Sequence, residues 1–197
     1  MRSHFNNEHI QLLINAFQND PMFVELFKGP KRHLQMEAFF RFIYKRNQVM
    51  DGIYLTDSSN NPSYVAFIET PKHRHRYNLK SKIQLYFEML KLILFIPLKS
   101  LNFLSRYDVA TMKHRPREKH LYLTMIGVSP EKQGQGIGKM VINTLHKMVI
   151  DDPDVSGICL DTENLSNVLY YERLGFSLIQ EVKVSSISVY CMKKFDF

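Results

Sequence analysis

The sequence predicts an α/β fold in which helices flank a sheet of mixed strand direction. Segments with helical spacing of apolar residues alternate with short strand-like runs along the 197 residues. A glycine-rich stretch joins the run 121–128 to a helix that ends near residue 150. Two further runs, 177–183 and 187–195, follow each other through a short connection, which is typical of an antiparallel pair.

The first third of the chain is predicted to form helices and then two strands. Asn6 or Asn7 is a suitable N-cap for a first helix, and Asn19-Asp20-Pro21 ends it. Met1 to Phe5 is hardly long enough for a strand before that helix. The next elements are a helical turn from Pro21 to Phe27, a helix from Pro30 to about Arg46, and strands at 52–56 and 63–70.

The remaining elements are predicted to complete one domain over residues 1–197. Residues 71–119 form a long, mainly helical insertion, with helices at 79–96 and 98–112. A strand at 155–161 and a helix at 164–174, capped by Gly175, follow the glycine-rich stretch. No internal repeat and no linker-like composition divides the chain.

Charge and cysteine usage limit the possible partners. The net charge is +7, but the basic residues are scattered except at Lys72–Arg76, so we expect no nucleic-acid binding. The apolar segment 83–98 contains Glu88 and Lys91 and is shorter than a membrane span, so we expect a buried helix and no membrane insertion. Cys159 and Cys191 are expected to be reduced core residues, and the absence of a secretory leader favours a cytoplasmic protein.

The glycine-rich stretch, Gln133 to Gly138, suits an anion. Unpaired N–H groups at a helix N-terminus converge on a negatively charged group, and glycine lets a phosphate approach the backbone. The spacing does not fit a dinucleotide fingerprint, because Lys139 stands where the third glycine belongs. A Walker A loop does not fit either, because Met140 replaces its Ser or Thr and Gln133 its first glycine.

The remaining pattern, Q-x-x-G-x-G after a strand that ends in Val-Ser-Pro, resembles the acetyl-CoA-binding motif of the GNAT superfamily of N-acetyltransferases. A second stretch also resembles this family. Asn164 lies seven residues before Tyr171, which begins the segment Tyr-Glu-Arg-Leu-Gly-Phe176. The two stretches occur in the family's order, and together they cover about residues 122–176.

A subset of bacterial and fungal GNAT proteins is similar in further ways. These proteins carry extra helices before the cofactor strand and a His-aromatic-Tyr/Leu run at its entrance, which His120-Leu121-Tyr122-Leu123 resembles. Ala16-Phe17 and Asp20-Pro21 are also similar to that subset. The resemblance implies a mostly antiparallel sheet that splays at the cofactor strand, with the insertion 71–119 as the wall on the substrate side.

The resemblance also implies which residues hold acetyl-CoA, the expected co-substrate. Backbone groups of the cofactor strand would pair with the pantetheine arm, and the glycine-rich loop would hold the pyrophosphate. Asn164 would fix the helix entry or bond the pantetheine. The expected cofactor-binding residues are Ile126, Gly127, Val128, Gln133, Gly134, Gln135, Gly136, Ile137, Gly138, Lys139 and Asn164.

Tyr171 and His120 are the expected catalytic residues. By the family's spacing, Tyr171 is the general acid for the leaving thiolate, and a phenol is protonated at neutral pH. His120 titrates in the range useful for a general base and enters the cofactor strand where substrate would arrive. Glu69, Glu118 and Asp161 are lesser candidates for the base, and ordered water is an alternative to any side chain.

No metal is expected, because no Cys, Asp or Glu set completes the pair His73-x-His75. The expected activity is transfer of an acetyl group to an amine of a small molecule or peptide. A GNAT-fold acyl-CoA sensor without transferase activity is the alternative, and a homodimer is possible. In the insertion, Phe87, Leu90, Leu94 and Phe95 either line an apolar pocket or pack on the sheet.

Overall fold

The computed structural model describes residues 5–58, 60–71 and 79–195. Its elements in chain order are helices α1 (Asn7–Phe17), α2 (Pro21–Leu26) and α3 (Arg32–Val49), strands β1 (Ile53–Thr56) and β2 (Tyr64–Glu69), helices α4 (Leu79–Phe95) and α5 (Leu98–Lys113), strand β3 (His120–Val128), helix α6 (Ile137–Ile150), strand β4 (Gly157–Thr162), helix α7 (Leu165–Glu172), and strands β5 (Ser177–Val184) and β6 (Ile187–Lys194).

The six strands form a mixed sheet in the order β1-β2-β3-β4-β6-β5. Every neighbouring pair is antiparallel except β3 and β4, which run parallel. The predicted fold class, a mostly antiparallel sheet flanked by helices, is therefore confirmed.

The helix boundaries follow from local chemistry that the sequence displays. Asn6 caps α1, since its side chain accepts hydrogen bonds from the backbone N–H groups of Glu8 and His9. Pro21 occupies the first turn of α2 behind the N-cap Asp20. Gly175 adopts a left-handed φ of 88° and ends the α7 region, as its predicted capping role requires.

Two hydrophobic cores cover the two faces of the sheet. The helices α1 to α5 pack with Val65 and Phe67 of β2 in one core, and α6 and α7 pack with Ala66 and Ile68 in the other. The alternation along β2 is that of a strand buried on both faces. Cys159 and Cys191 are buried free thiols, as predicted.

A β-bulge interrupts β3 in the middle of the sheet. Phe67 of β2 pairs with Met125, whereas the next residue, Ile68, pairs with Leu123, so Thr124 has no partner in the register. Leu121 and Leu123 lie in the core beneath α6, but Met125 lies in the opposite core. The extra residue therefore reverses which side chains of β3 face each core.

The parallel pairing of β3 with β4 ends next to this bulge. Paired residues run from His120 and Gly157 to Leu123 and Leu160. Beyond that point β3 continues to Val128 against β2, and β4 continues to Thr162 against β6. The two central strands therefore separate, which opens a gap inside the sheet.

Helices α4 and α5 form the predicted insertion and lie on the face of the sheet that carries α1 to α3. Leu92 and Ile96 of this segment, with Phe103, are buried in that core. Phe87, Leu90, Leu94 and Phe95 are exposed, so the expectation that they pack on the sheet or line a pocket is wrong. Within the described ranges, no helix is both long and apolar enough to cross a bilayer. The basic segment Lys72–Arg76 and the pair His73-x-His75 lie outside the described residues.

Candidate active site

A cavity of about 540 Å³ opens at the gap between β3 and β4. Residues 122–126 of β3 and residues 160–163 of the β4 end line it on the sheet side. The helices α1 to α5 all contribute to its opposite wall, and Tyr171 of α7 lines it as well. The volume lies within the range usual for small-molecule sites.

Three polar side chains meet at the sheet side of this cavity. The Tyr107 hydroxyl, carried by α5, is hydrogen-bonded to the carboxyl groups of both Asp161 and Glu163. Burial raises the pKa of Asp161 to about 6. Burial, reinforced by the nearby charge of Asp161, raises the pKa of Glu163 to about 8. The pair therefore exchanges protons near neutral pH, as a general acid or base must.

Tyr171 lines the same cavity and is 8% exposed. Its ring packs edge-on against Tyr170 and Phe176, with centroid separations of 5.4 and 5.5 Å. Burial raises the pKa of the phenol, and the acidic groups of Glu163 and Asp161 raise it further. Tyr171 is accordingly a neutral hydroxyl at pH 7, which can donate a proton.

His120 lies elsewhere. It begins β3 and pairs with Gly157, and it is not among the residues that line the cavity. Its Nδ1 is 2.7 Å from the carbonyl oxygen of Glu118, and burial lowers its pKa. The structure does not bring His120 together with Tyr171, whereas it does bring Asp161, a lesser candidate in the sequence, to the cavity.

A second charged group lines the same cavity. Glu69 of β2 lies 2.8 Å from a guanidinium nitrogen of Arg46 and 2.8 Å from one of Arg115. Although burial opposes its ionisation, the two guanidinium groups hold the pKa of Glu69 below its ordinary value. Arg115 also stacks on Tyr122, 3.3 Å from the ring centroid.

The glycine-rich loop lies at the end of β3 beyond the gap. Gly134 and Gly136 have φ values of 75° and 81°, and among the described residues no atom lies within 4 Å of a Cβ built on either. Gly136 is the N-cap of α6, and no side chain of the described residues caps that helix. The first turn of α6 therefore has no side-chain cap among the described residues and follows a loop with open space around its glycines, which fits a phosphate group.

The other predicted cofactor residues have defined places. Gln133 donates from Nε2 to the Val128 carbonyl oxygen at 3.2 Å, which ties the loop to the strand end. Ile126 lines the cavity, and a Cβ at Gly127 would meet Leu13 of α1 at 2.7 Å. Gln135, Ile137, Gly138 and Lys139 belong to the loop and the first turn of α6.

Asn164 caps α7, its side chain accepting a hydrogen bond from the Ser166 N–H at 2.9 Å. It is not among the cavity-lining residues, whereas Asn167 is. A direct contact of Asn164 with the cofactor stays a prediction. As far as the structure describes the chain, no group of three or more His, Cys, Asp or Glu side chains is arranged to hold a metal ion.

Residues 104–178 match the family model described as Acetyltransferase (GNAT) domain. The matched segment contains the gap in the sheet, the glycine-rich loop and the residues Tyr107, Asp161, Glu163 and Tyr171. This segment is therefore similar to a GNAT acetyltransferase domain.

Solved structures share the fold over nearly the whole length of this chain. The crystal structure described as histone acetyltransferase HPA2 and related acetyltransferase, from Corynebacterium glutamicum, has a TM-score of 0.64 at 21% identity, covering 95% of this chain and 88% of that chain. The ribosomal-protein-S18-alanine N-acetyltransferase from Escherichia coli has a TM-score of 0.50 at 14% identity, covering 99% of this chain and 93% of that chain.

A third structure with the GNAT fold contains the coenzyme. A chain of the NatC complex bound to Gag peptide and CoA has a TM-score of 0.50 at 14% identity, covering 98% of this chain and 93% of that chain. The family match at residues 104–178 supports an acyl-transfer function. The solved structures show that the fold is shared.

Proposed function

We propose that the protein is an N-acetyltransferase that moves an acetyl group from acetyl-CoA directly to a primary amine. The observation that carries this proposal is the gap where β3 and β4 separate, with Tyr171 on the cavity beside it. The gap leads from the cavity toward the glycine-rich loop. Acetyl-CoA is long and thin, so its acetyl end would lie at the cavity and its pyrophosphate at the loop.

Two parts of the backbone have space and unpaired groups to bind coenzyme A. The open backbone at Gly134 and Gly136 and the uncapped start of α6 would hold the pyrophosphate. Backbone groups of β3 beyond Leu123, which β4 does not pair, would hydrogen-bond the pantetheine arm as an added strand does. When bound, acetyl-CoA supplies an activated acyl carbon.

In this proposal one set of side chains at the cavity accepts a proton and another donates one. The Asp161–Glu163 pair accepts a proton from the incoming ammonium group, which frees the nitrogen lone pair. A C–N bond to the acyl carbon then forms as the C–S bond breaks. The nitrogen, which still carries two hydrogens after the attack, releases one of them as a proton to solvent. Tyr171 donates its proton to the departing sulfur and regains one from solvent, so the products are an amide and the free thiol.

This assignment transfers the role of general base from His120 to the Asp161–Glu163 pair. Tyr107 is hydrogen-bonded to both carboxyl groups and so fixes their positions. Glu163 lies one residue beyond the end of β4, where the sheet no longer pairs it with β3. The pair therefore lies at the gap itself, whereas His120 lies at the closed end of the β3–β4 ladder.

Thermal unfolding with acetyl-CoA tests cofactor binding. A ligand at about 100 times its dissociation constant adds roughly 2.7 kcal/mol to the free energy of unfolding. For a chain of this size that is about 5–10 °C in the unfolding midpoint. No shift with acetyl-CoA or coenzyme A contradicts the proposal.

A thiol-release assay over a panel of amines then separates a transferase from an acyl-CoA sensor. A transferase releases coenzyme A in proportion to the acetylated amine. Stabilisation by acetyl-CoA without amine-dependent release supports the sensor instead.

A further inference from the structure

The wall of the cavity opposite the sheet is apolar and largely aromatic. Each of the five N-terminal helices contributes at least one apolar side chain to it. The residues are Phe17, Phe23, Phe39, Phe42, Ile43, Met89, Leu92, Leu101 and Leu104. A molecule that fills this part of the cavity therefore gains by burying apolar surface.

The charged groups of the cavity concentrate any positive charge of a ligand at one position. Arg46 and Arg115 both engage Glu69, which is therefore already neutralised. Asp20 accepts hydrogen bonds from the N–H groups at the start of α2. Asp108 is exposed. Arg115 also lowers the pKa of Asp161 through space, but its guanidinium is ion-paired with Glu69. Asp161 and Glu163, which share the Tyr107 hydroxyl, are therefore the place where two carboxyl groups of the cavity lie together.

A further polar atom lies on the sheet side of the cavity. The Thr124 hydroxyl, at the β-bulge, is buried and has no hydrogen-bond partner among the described residues. A buried hydroxyl without a partner is costly, so a bound molecule is expected to complete this site. Both this hydroxyl and the acidic pair lie next to the gap where transfer is proposed.

We propose that the acetyl acceptor is a small amphipathic monoamine, an arylalkylamine or alkylamine whose ammonium group meets Asp161 and Glu163 and whose apolar body lies against the helical wall. This inference rests on the proposed function of the same site. It deepens that function by separating this acceptor class from peptides and polyamines.

The same wall disfavours the other two acceptor classes. A peptide would bring several amide groups into a region lined by apolar side chains, where most of them would lose their hydrogen bonds with water. A polyamine would place a second ammonium group in a part of the cavity where apolar side chains outnumber the acidic residues Asp20 and Asp108. A monoamine with an aromatic or aliphatic body buries neither unpaired amide groups nor a second ammonium group.

Initial-rate kinetics with the full-length protein test the acceptor class. The panel contains 2-phenylethylamine, hexylamine, spermidine and a tetrapeptide with a free N-terminal alanine, each with saturating acetyl-CoA. We expect kcat/KM for 2-phenylethylamine or hexylamine to exceed that for spermidine and the peptide by at least tenfold. Equal or higher kcat/KM for spermidine or the peptide overturns the inference and leaves the proposed function standing.

Acetyl-CoA binding, measured in parallel by thermal unfolding, separates the two failures. If acetyl-CoA stabilises the protein but neither monoamine is acetylated, the acceptor class is wrong. If acetyl-CoA produces no stabilisation, the proposed function itself has failed.

Two variants test the two ends of the cavity. Leu104→Asn makes the wall polar, and we expect it to lower the ratio of kcat/KM for 2-phenylethylamine to that for ethylamine by about tenfold, since ethylamine lacks the apolar body. An unchanged ratio contradicts the placement of the body against this wall.

Glu163→Gln removes one acid of the pair, with Glu172→Gln on the exposed face of α7 as the matched control. In the unmodified protein the base is active when ionised, so kcat/KM rises with pH through the window between about 6 and about 8. We expect Glu163→Gln to lower kcat/KM for 2-phenylethylamine at least tenfold and to move this rise to lower pH. A profile that matches that of Glu172→Gln overturns the role of Glu163.

Discussion

At the scale of single residues, the proposed chemistry depends on Tyr171 remaining protonated. The residue is largely buried, and burial together with nearby acidic groups raises the pKa of its phenol. Removal of this hydroxyl leaves the departing sulfur without a proton donor. We therefore expect Tyr171→Phe to lower kcat by about 10² or more, in line with the usual contribution of general acid catalysis.

The same change at Tyr190 is the control for this experiment. Tyr190 lies on β6, opposite Thr162, and is not among the residues that line the cavity. We expect Tyr190→Phe to retain kcat within about twofold. Both variants should keep the unfolding midpoint near that of the unmodified protein. A Tyr171→Phe protein with full kcat refutes the assignment of Tyr171 as general acid.

The sequence predicts Tyr171 and, as a lesser candidate, Asp161, but it indicates neither Glu163 nor Tyr107. Tyr171 stands in a recognisable local motif, whereas the Tyr107 hydroxyl meets carboxyl groups 54 and 56 residues away. Nothing in the local sequence around Glu163 or Tyr107 indicates that they share a hydrogen bond. Only the docking of α5 over the end of β4 brings them together. The sequence favours His120 as the base because it begins the cofactor strand and titrates in the useful range, whereas the point at which β3 and β4 stop pairing has no signal in the sequence.

At the scale of elements, Tyr170 of α7 lies close to the first turn of α6, where we propose that the cofactor pyrophosphate binds. A Cβ added at Gly138, in the first turn of α6, would lie 2.7 Å from the Tyr170 hydroxyl and 3.5 Å from the ring carbon that carries it. Gly138→Ala must therefore displace Tyr170 or the start of α6. We expect it to weaken binding of coenzyme A about three- to tenfold, measured by isothermal titration calorimetry.

The crowding at this contact is relieved when the phenolic oxygen is removed. The double variant Gly138→Ala/Tyr170→Phe leaves the ring carbon at ordinary contact distance, so we expect it to recover most of the affinity. An equal loss of affinity in the single and double variants contradicts this account.

The sequence predicts most elements within a few residues, because caps and turn residues act locally. Asn6, Asp20 and Gly175 end or begin their helices where the pattern indicates. The bulge at Thr124 has no such signal, since Leu121 to Val128 reads as an uninterrupted apolar strand. The sequence also does not indicate which side of α4 is exposed. Apolar residues of α4 lie on all of its faces, so their periodicity selects no buried face.

At the scale of the whole molecule, Glu69 connects parts of the chain that are far apart in sequence. Its carboxylate binds Arg46 at the end of α3 and Arg115 in the segment before β3, and Arg115 stacks on Tyr122. Both ion pairs are largely buried. Removal of a buried charge leaves its partners uncompensated, so we expect Glu69→Ala to lower the free energy of unfolding by about 3 kcal/mol.

An exposed ion pair provides the comparison. Glu25 lies 2.9 Å from Lys28 on the surface, where such pairs contribute less than about 1 kcal/mol. We expect the unfolding midpoint to fall by roughly 6–12 °C in Glu69→Ala and by only about 2–4 °C or less in Glu25→Ala. Equal losses, measured by chemical or thermal unfolding, argue against a connecting role for Glu69.

The separation of β3 from β4 also bears on aggregation. Unpaired strand backbone is usually found at the rim of a sheet, where it is a template for pairing with another molecule. Here it lies in the interior of the sheet, with β2 on the far side of β3 and β6 on the far side of β4. A strand from a second molecule cannot approach this backbone sideways in the plane of the sheet. The chain can therefore expose hydrogen-bonding backbone to a narrow ligand without the self-association that an outer edge invites.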